Sequence, residues 1–525
     1  MTGKSADSKW QKRWEGFCKT AVIAIGGVLL GLLWLGSVVF TARVSGVEEV
    51  TRFHRDSLLL HVAVIGVVTV LGAALWKQRQ KVLDFIERHF HGLLLCLAAA
   101  YALWVLSVAL WPIADQRSVL ECAAGLLRGD VSPWEKGGYL YCYPNQNGLV
   151  VFYAGLQFLF GEGNVLAIQF LNVLAALASA VCFAGFLRRT AFLSRSKPMA
   201  LLLLLYLPMM FYVTFAYGTI PGLLLAMLGL YCQVRYLENW NGWFLAASAL
   251  CFTGAVLLKS NYLIFLVAAV ITFLYHALRQ KKWRCLVAAL VLVVTNSLGS
   301  FALEVSLEQV TGQQIEKGVP TASWVAMGVE EGPRAPGWYN AEHSLRLFRE
   351  NGYDTEKTAA LASETIKERM GIFVQEPGYA VEFFAKKTAS IWNEPTFQSL
   401  WIQQTRKPHQ DFSRPVRSLL GEGGLLGRAY VKFFDIVQSL VYFFALCALV
   451  LGRKKLTFSQ LMPILVFIGG FLFHLMWEAK GQYTVVYFFL LLPYAVKGLG
   501  ILAEKLQSRL YLKAIPVLRK RKQTV

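Results

Sequence analysis

Long apolar runs alternate with short polar breaks along the chain. After a basic stretch (Lys4, Lys9, Lys12, Arg13, Lys19), the first run covers Ala21 to Phe40. Others follow at 58–76, 92–111, 148–160, 165–187, 198–215, 218–236, 242–258, 261–278, 285–303, 431–452, 457–476 and 482–502. Most approach the roughly 20 residues a helix needs to cross a bilayer. A chain crossing lipid in such segments must satisfy its backbone within each segment, which helices do. The pattern therefore predicts an all-α polytopic membrane protein. No small-residue cleavage site closes the first run, which reads as an anchor rather than a removed leader.

Composition sharpens this. Of 525 residues, 56% are apolar and 16% charged, against about 45–50% and about 25% in soluble domains. A disordered chain, a disulfide-stapled miniprotein and an ordinary cytosolic enzyme are excluded. The 52 basic residues exceed the 32 acidic ones by 20. In a soluble protein that excess would suggest nucleic acid; here Lys and Arg mark cytoplasmic loops, and no nucleic-acid partner is expected.

Basic clusters sit at Lys77/Arg79/Lys81/Arg88, Arg188/Arg189/Arg195/Lys197, Arg279/Lys281/Lys282/Arg284, Arg453/Lys454/Lys455 and in the tail (Arg519 to Lys522). If 148–160 spanned, the Arg188 cluster and every basic cluster after it would fall on the outer side, against the rule. That run has 13 residues and is followed by Gly161, Glu162, Gly163 and Asn164, so it reads as an interfacial or re-entrant helix. About twelve transmembrane helices remain, with both termini cytoplasmic.

The organisation expected is three N-terminal spans (1–111), a first outer loop (112–164), central spans (165–303), a long extracytoplasmic loop (304–430), and C-terminal spans with a basic tail (431–525). Each of the two outer segments carries a net charge of −2. Helical periodicity within the long one covers Thr355–Gly371 and Tyr379–Trp392. The nine cysteines form no framework; Cys122 and Cys142 share one loop and could pair if it is extracytoplasmic. No Asn-x-Ser/Thr sequon occurs, which favours a bacterial source.

Chemistry concentrates directly after the third span. Asp115 stands just past it, an expensive place for an acid unless it has a role. The plainer reading is a cap for a helix starting at Gln116; the functional one is a surface carboxylate that takes a proton from an acceptor hydroxyl. After Asp115 come an Ala123-x-x-Leu126-x-x-Gly129 helix end, a Tyr143-Pro-Asn-Gln-Asn-Gly148 turn and a Leu159-Phe-Gly-x-Gly-Asn164 break. Together these resemble the first outer loop of the GT-C superfamily. Its members are polytopic glycosyltransferases that use polyprenyl-phosphate sugars, such as protein O-mannosyltransferases and the lipid A aminoarabinose transferase. A late segment, Glu478-Ala-Lys-Gly-Gln482-Tyr483, resembles the Glu-x-x-x-Arg-Tyr element before a final span in bacterial members, with Gln482 in place of Arg. Phe215 to Gly222 resembles a further loop of these proteins. The nearest likeness is to bacterial family-39-like enzymes of cell-surface polymers.

The resemblance implies a GT-C-like bundle with outer-face interfacial helices, inverting transfer from a polyprenyl-phosphate-linked sugar to a saccharide or lipid acceptor, and an extracytoplasmic site in a bacterial plasma membrane. Asp115 is then the base, and Arg117, Lys259 and Lys480 are the cations for the leaving phosphate. Glu121, Tyr143, Asn145, Gln146, Asn147, Glu478, Gln482 and Tyr483 are expected to contact substrate. The plainer readings are a snorkelling lysine for Lys259 and a turn-tying pair for Glu478 and Lys480. His474, within a span, reads as a satisfied interior histidine, and His343 and His409 lack metal-ligand spacing. Lys386 and Lys387 are further phosphate candidates. Trp324, Trp338 and Trp392 could stack on sugar or anchor interfacial helices. No metal-binding or nucleotide-binding motif occurs, so a divalent ion is allowed but not indicated. Rival classes are a lipid-linked saccharide transporter and a surface-polysaccharide ligase; few acids inside the spans argue against the transporter.

Overall fold

The computed structural model describes residues 2–46, 48–403, 412–421 and 423–522; His409 lies outside the described residues. The chain begins with α1 (Thr2–Ser37), a hairpin of β1 (Phe40–Ser45) and β2 (Val50–Arg55), α2 (Leu58–Leu75) and α3 (Arg79–Val108). Then follow α4 (Ala114–Leu127), α5 (Asn147–Phe160), α6 (Val165–Arg189), α7 (Lys197–Leu204), α8 (Leu207–Phe211), α9 (Thr219–Asn239), α10 (Gly242–Leu258), α11 (Leu263–Gln280) and α12 (Trp283–Thr311). The last are α13 (Thr321–Val329), α14 (Thr355–Gln375), α15 (Pro377–Trp392), α16 (Arg414–Leu420), α17 (Leu425–Gly452), α18 (Met462–Met476) and α19 (Val485–Lys522).

Among the described residues nine helical stretches are long and apolar enough to cross a membrane. One of them, Leu58–Val108, contains two of the expected runs. α7 and α8 form a further apolar pair broken by a 67° bend, and α10 is apolar but shorter. The break has a chemical cause. Pro208 in α8 has no N–H to return to the preceding turn, and the Leu204 carbonyl instead accepts from the Tyr101 hydroxyl at 2.9 Å.

The core is a bundle in which α17 and α19 pack along each other, α9 packs between α6 and α10, and α1 lies along α17. Its turns sort to two ends. At one, Arg195 pairs with Asp84 (2.7 Å), Arg279 with Glu15 (2.9 Å) and Arg189 with Glu238 (3.2 Å). Lys497 donates to the Phe192 carbonyl at 3.0 Å. The basic clusters at 77–88, 188–197 and 279–284 thus share one end, as the charge pattern requires. α2 and α3 meet at that end. Gly72 of α2 lies against Leu499 and Ala503, and α3 leads from Asp84 up to Trp104, which stacks on Phe211 at 4.0 Å.

The other end carries the hairpin, α4, α5, residues 312–403 and the turns before α9, α11 and α19. It is the site end. α5 has 14 residues, or about 21 Å of rise, too short for about 30 Å of hydrocarbon; it packs on α4 and α10. α14 and α15 match the two helices expected in the long loop.

The all-α polytopic class stands, with one small hairpin added: β1 and β2 pair antiparallel from Phe40–Arg55 to Ser45–Val50. The chain leaves β1 at Gly46, whose φ of +71° suits glycine. α12 runs on to Thr311 and α17 starts at Leu425, so both outlast the apolar runs that signalled them. Cys122 and Cys142 are free thiols, buried in separate apolar clusters.

Candidate functional site

Asp115 sits in the first turn of α4, where a carboxylate suits the helix dipole, but it makes no cap; Ile113 holds the cap position. Ala114 before it is in the left-handed region (φ 48°), a strained backbone of the kind that collects at functional sites. The next residue fixes the helix. Buried Gln116 accepts the Ala216 N–H at 3.0 Å, which brings α4 against the 215–218 turn.

That turn delivers Tyr217. Its hydroxyl faces one Asp115 carboxylate oxygen and the Tyr139 hydroxyl faces the other, each at 3.4 Å. Such contacts are long for O–H···O bonds, so the exposed carboxylate is steered but keeps accepting capacity. Burial, reinforced by Asp115, raises both phenols well above their ordinary range; both stay protonated donors. Gln146 donates to the Tyr217 hydroxyl at 2.8 Å.

Two glycines close this end onto the residues before Lys259. A Cβ on Gly148 would lie 2.3 Å from the Leu257 carbonyl oxygen, and one on Gly218 2.3 Å from that of Leu258. Gly218 also has a φ of +72°. Only glycine permits both approaches, and together they set half-buried Lys259 beside the Tyr217 ring (5.0 Å) and the Tyr483 ring (5.5 Å). Lys259 donates to the Thr219 hydroxyl at 3.2 Å. Burial pushes its pKa down to about 8, with Lys480 adding to the fall and Asp115 and Glu478 opposing it. Beneath it a cavity of about 10 Å³, lined by Asn261, Gln482 and Tyr487 among others, has room for about one water.

The turn between α18 and α19 supplies the rest. Buried Glu478 accepts from the Tyr483 hydroxyl at 3.2 Å and is raised to about 7, chiefly by burial, with Lys480 and Tyr483 lowering it and Asp115 and Glu49 raising it further. Lys480 turns to Glu49 in the hairpin loop, 3.2 Å away. Glu49 is itself buried, pairs with Arg334 at 3.1 Å and accepts from Gln398 at 3.1 Å. Gln482 contributes its backbone N–H to Gln398.

The structure thus gathers Asp115, Gln146, Lys259, Glu478, Lys480, Gln482 and Tyr483 at one end of the bundle, with Tyr143 near them, 5.3 Å from Tyr139 and 6.1 Å from Trp324 between ring centres. It leaves others out. Arg117 lies about 200° round the helix from Asp115 and pairs with Glu121 at 2.6 Å. Both line a separate groove of about 300 Å³ with Arg128 and Glu162. Asn147 is buried and accepts from the Trp134 indole at 3.1 Å, while Asn145 is exposed. Lys387 is fully buried and gives its protons to the carbonyls of Gly328, Leu475 (2.9 Å) and Trp477 (2.8 Å). An ammonium has three protons, so none is left for phosphate. Lys386 pairs with Glu382 at 2.5 Å. Both ring nitrogens of buried His474 lack a hydrogen-bond partner among the described residues, contrary to the satisfied histidine expected; the ring stacks on Tyr483 at 5.5 Å. His343 pairs with Glu330 at 2.9 Å.

Glu49, Tyr139 and Tyr217 were missed as site residues. Glu49 carried the same signal as Asp115, an acid soon after a span. A polar cluster away from this end was missed too: Asp56, His61 and Asp435 place one potential ligand atom each within 4.8 Å of one another.

The model of a family described as conserved hypothetical integral membrane protein matches residues 21–497. No curated protein and no solved structure matches the chain.

Proposed function

The chain belongs to this family of conserved integral membrane proteins, and we propose that it is a membrane-embedded glycosyltransferase using a polyprenyl-phosphate-linked sugar. The observation that carries the reading is the exposed Asp115 carboxylate, oriented by two tyrosine hydroxyls at 3.4 Å in the electrostatic field of Lys259. A base beside a cation is what inverting transfer from a phosphate needs. Asp115 takes the acceptor hydroxyl proton, and the oxygen attacks the anomeric carbon. The carbon–oxygen bond to phosphate breaks, and the polyprenyl phosphate leaves with its charge facing Lys259. Glu478 and Tyr483 border the sugar, and the apolar helix flanks take the prenyl chain.

On this reading residues 58–108 cross twice, the broken pair α7–α8 once and α10 once. Twelve crossings put both termini on one side, which the reading takes as the cytoplasm of a bacterium, with the site end outside; the basic clusters at the opposite end support it. The acceptor is a surface saccharide or a glycolipid. The test mixes purified protein, a polyprenyl-phosphate sugar and membrane acceptor. Wild type should transfer and Asp115→Asn should fall by about 10²–10⁴-fold with its melting temperature unchanged. Unaltered transfer by the variant removes Asp115 as the base.

A second reading, a lipid-linked saccharide transporter, is favoured by one feature: His61, Lys432 and Asp435 meet inside apolar helices, where ionisable groups commonly mark a pathway. Flux of a labelled lipid-linked saccharide in proteoliposomes without acceptor would support it.

A further inference from the structure

Where β1, α2 and α17 meet, five polar side chains are packed together. Thr41, His61 and Asp435 are buried to 2% exposure or less, and Asp56 and Lys432 complete the group. Its protons can be assigned. The Ser439 hydroxyl gives its proton to the Ile436 carbonyl at 2.9 Å, so His61 Nδ1–H must donate to Ser439 Oγ at 2.8 Å. In the neutral ring Nε2 is then a lone pair, and it faces Asp435 Oδ2 at 3.5 Å with no hydrogen-bond partner among the described residues. Thr41 repeats the problem. Its hydroxyl, with one proton, sits against both Asp56 Oδ2 and Asp435 Oδ1 (3.0 Å for the latter). At two points, lone pairs face lone pairs. Lys432 answers only in part, reaching Asp435 at 2.7 Å and Asp56 at 3.1 Å and leaving two carboxylates against one positive charge.

We propose that Asp56, His61 and Asp435 bind a divalent transition-metal ion, with the Thr41 hydroxyl as a fourth neighbour. One ligand atom from each of the three lies within 4.8 Å of the others. Around tetrahedral zinc, ligands at about 2.0–2.1 Å stand about 3.3 Å apart, close to the 3.5 Å between His61 Nε2 and Asp435 Oδ2. Imidazole with two carboxylates suits zinc, cobalt or manganese better than magnesium or calcium. Ser439 fixes the ring tautomer that presents Nε2, the usual second-neighbour role at a metal-ligating histidine. Lys432, 40% exposed, is the internal cation that turns out to solvent when the metal enters. The bound ion ties β1 to α2 and α17 and so steadies the hairpin whose loop carries Glu49. Its role is structural and stands apart from Asp115.

Full-length protein in detergent, stripped with a chelator, is titrated with zinc by calorimetry; metal content is then read by mass spectrometry and the melting temperature with and without zinc. Wild type should retain one zinc per chain and melt higher with it. His61→Gln and Asp435→Asn should each weaken binding at least about tenfold, the smallest loss typical even of outer-neighbour changes. Lys432→Met, which removes the competing ammonium, should bind at least as tightly as wild type. The proposal is overturned if folded wild type retains no zinc, cobalt or manganese, or if His61→Gln retains zinc as wild type does; the facing lone pairs are then reconciled by a proton on His61. Should Asp435→Asn not fold, His61→Gln and Lys432→Met decide the matter alone. Glycosyl transfer is not a readout, so failure here leaves the proposed activity standing.

Discussion

Lys480 Nζ lies 3.2 Å from Glu49 Oε2, joining the turn before the last long helix to the loop of the N-terminal hairpin. Glu49 is 3% exposed and pairs with Arg334 as well. A lysine that was a phosphate candidate on sequence is therefore already compensated, whereas Lys259 interacts electrostatically with Asp115 and its ammonium is bonded to the Thr219 hydroxyl.

Removing one side of a buried pair costs more than the pair contributes, because the other charge stays buried. Glu49→Gln should destabilise the protein by about 3–5 kcal/mol, seen as a lower melting temperature in detergent. Glu49→Gln combined with Lys480→Met should recover part of that loss. Equal melting of the single and double variants would show that Lys480 does not depend on Glu49.

Lys387 clamps three backbone carbonyls from two segments. Lys387→Met keeps the length and removes every donor, leaving buried acceptors unsatisfied. A loss of at least about 3 kcal/mol is expected, with trypsin cutting faster near Gly328 and Trp477. A variant as stable as wild type would place those carbonyls in water.

Gly148→Ala and Gly218→Ala test the closure on Lys259 from both sides. Each methyl would meet a backbone oxygen at 2.3 Å, which cannot swing away as a flexible side chain can. Both variants should lose transfer activity more than stability, since the displaced groups are Tyr217 and Lys259. The comparison is Gly242→Ala, whose Cβ meets nothing within 4 Å among the described residues and which should behave as wild type.

The pH dependence has a definite sign. Glu478 and Glu394, the latter buried just past α15 and accepting from the Thr396 hydroxyl, are both raised from 4.5 to about 7, mainly by burial, so between those values the folded state binds more protons than the unfolded one. Their stabilising contribution is full below about pH 4.5 and is lost as pH rises through 7. Measured against pH in detergent, melting of Glu478→Gln should gain on wild type across that window. Lys259 runs the other way: its pKa falls from 10.5 to about 8, so its contribution rises with pH between those values.

Much of this was legible in the chain. Apolar runs located the long helices, and the basic clusters sorted their turns to one end without exception among the contacts described. The motif at Asp115, the Phe215–Gly222 turn and the Glu478 turn pointed to segments that do meet. What stayed hidden was set by partners distant in sequence. Nothing local marks Glu49 as the acid that neutralises Lys480, or Lys387 as a carbonyl clamp rather than a ligand for phosphate. The hairpin escaped notice because six-residue strands at the end of a span resemble a polar connector. Arg117 faces away from Asp115 for a simpler reason: two positions along a helix turn by about 200°.

The hairpin also bears on how the protein is made. Its partners come late: Ala42 donates to the Asn393 carbonyl at 2.9 Å, Thr51 to that of Arg334 at 3.0 Å, and Glu49 waits for Lys480. A ribosome therefore releases this ribbon hundreds of residues before anything exists to hold it. Until then its acid and open strand edges face insertion machinery or water, and a message truncated before codon 334 would yield a product in which the hairpin lacks every one of these partners, a natural mark for quality-control proteolysis.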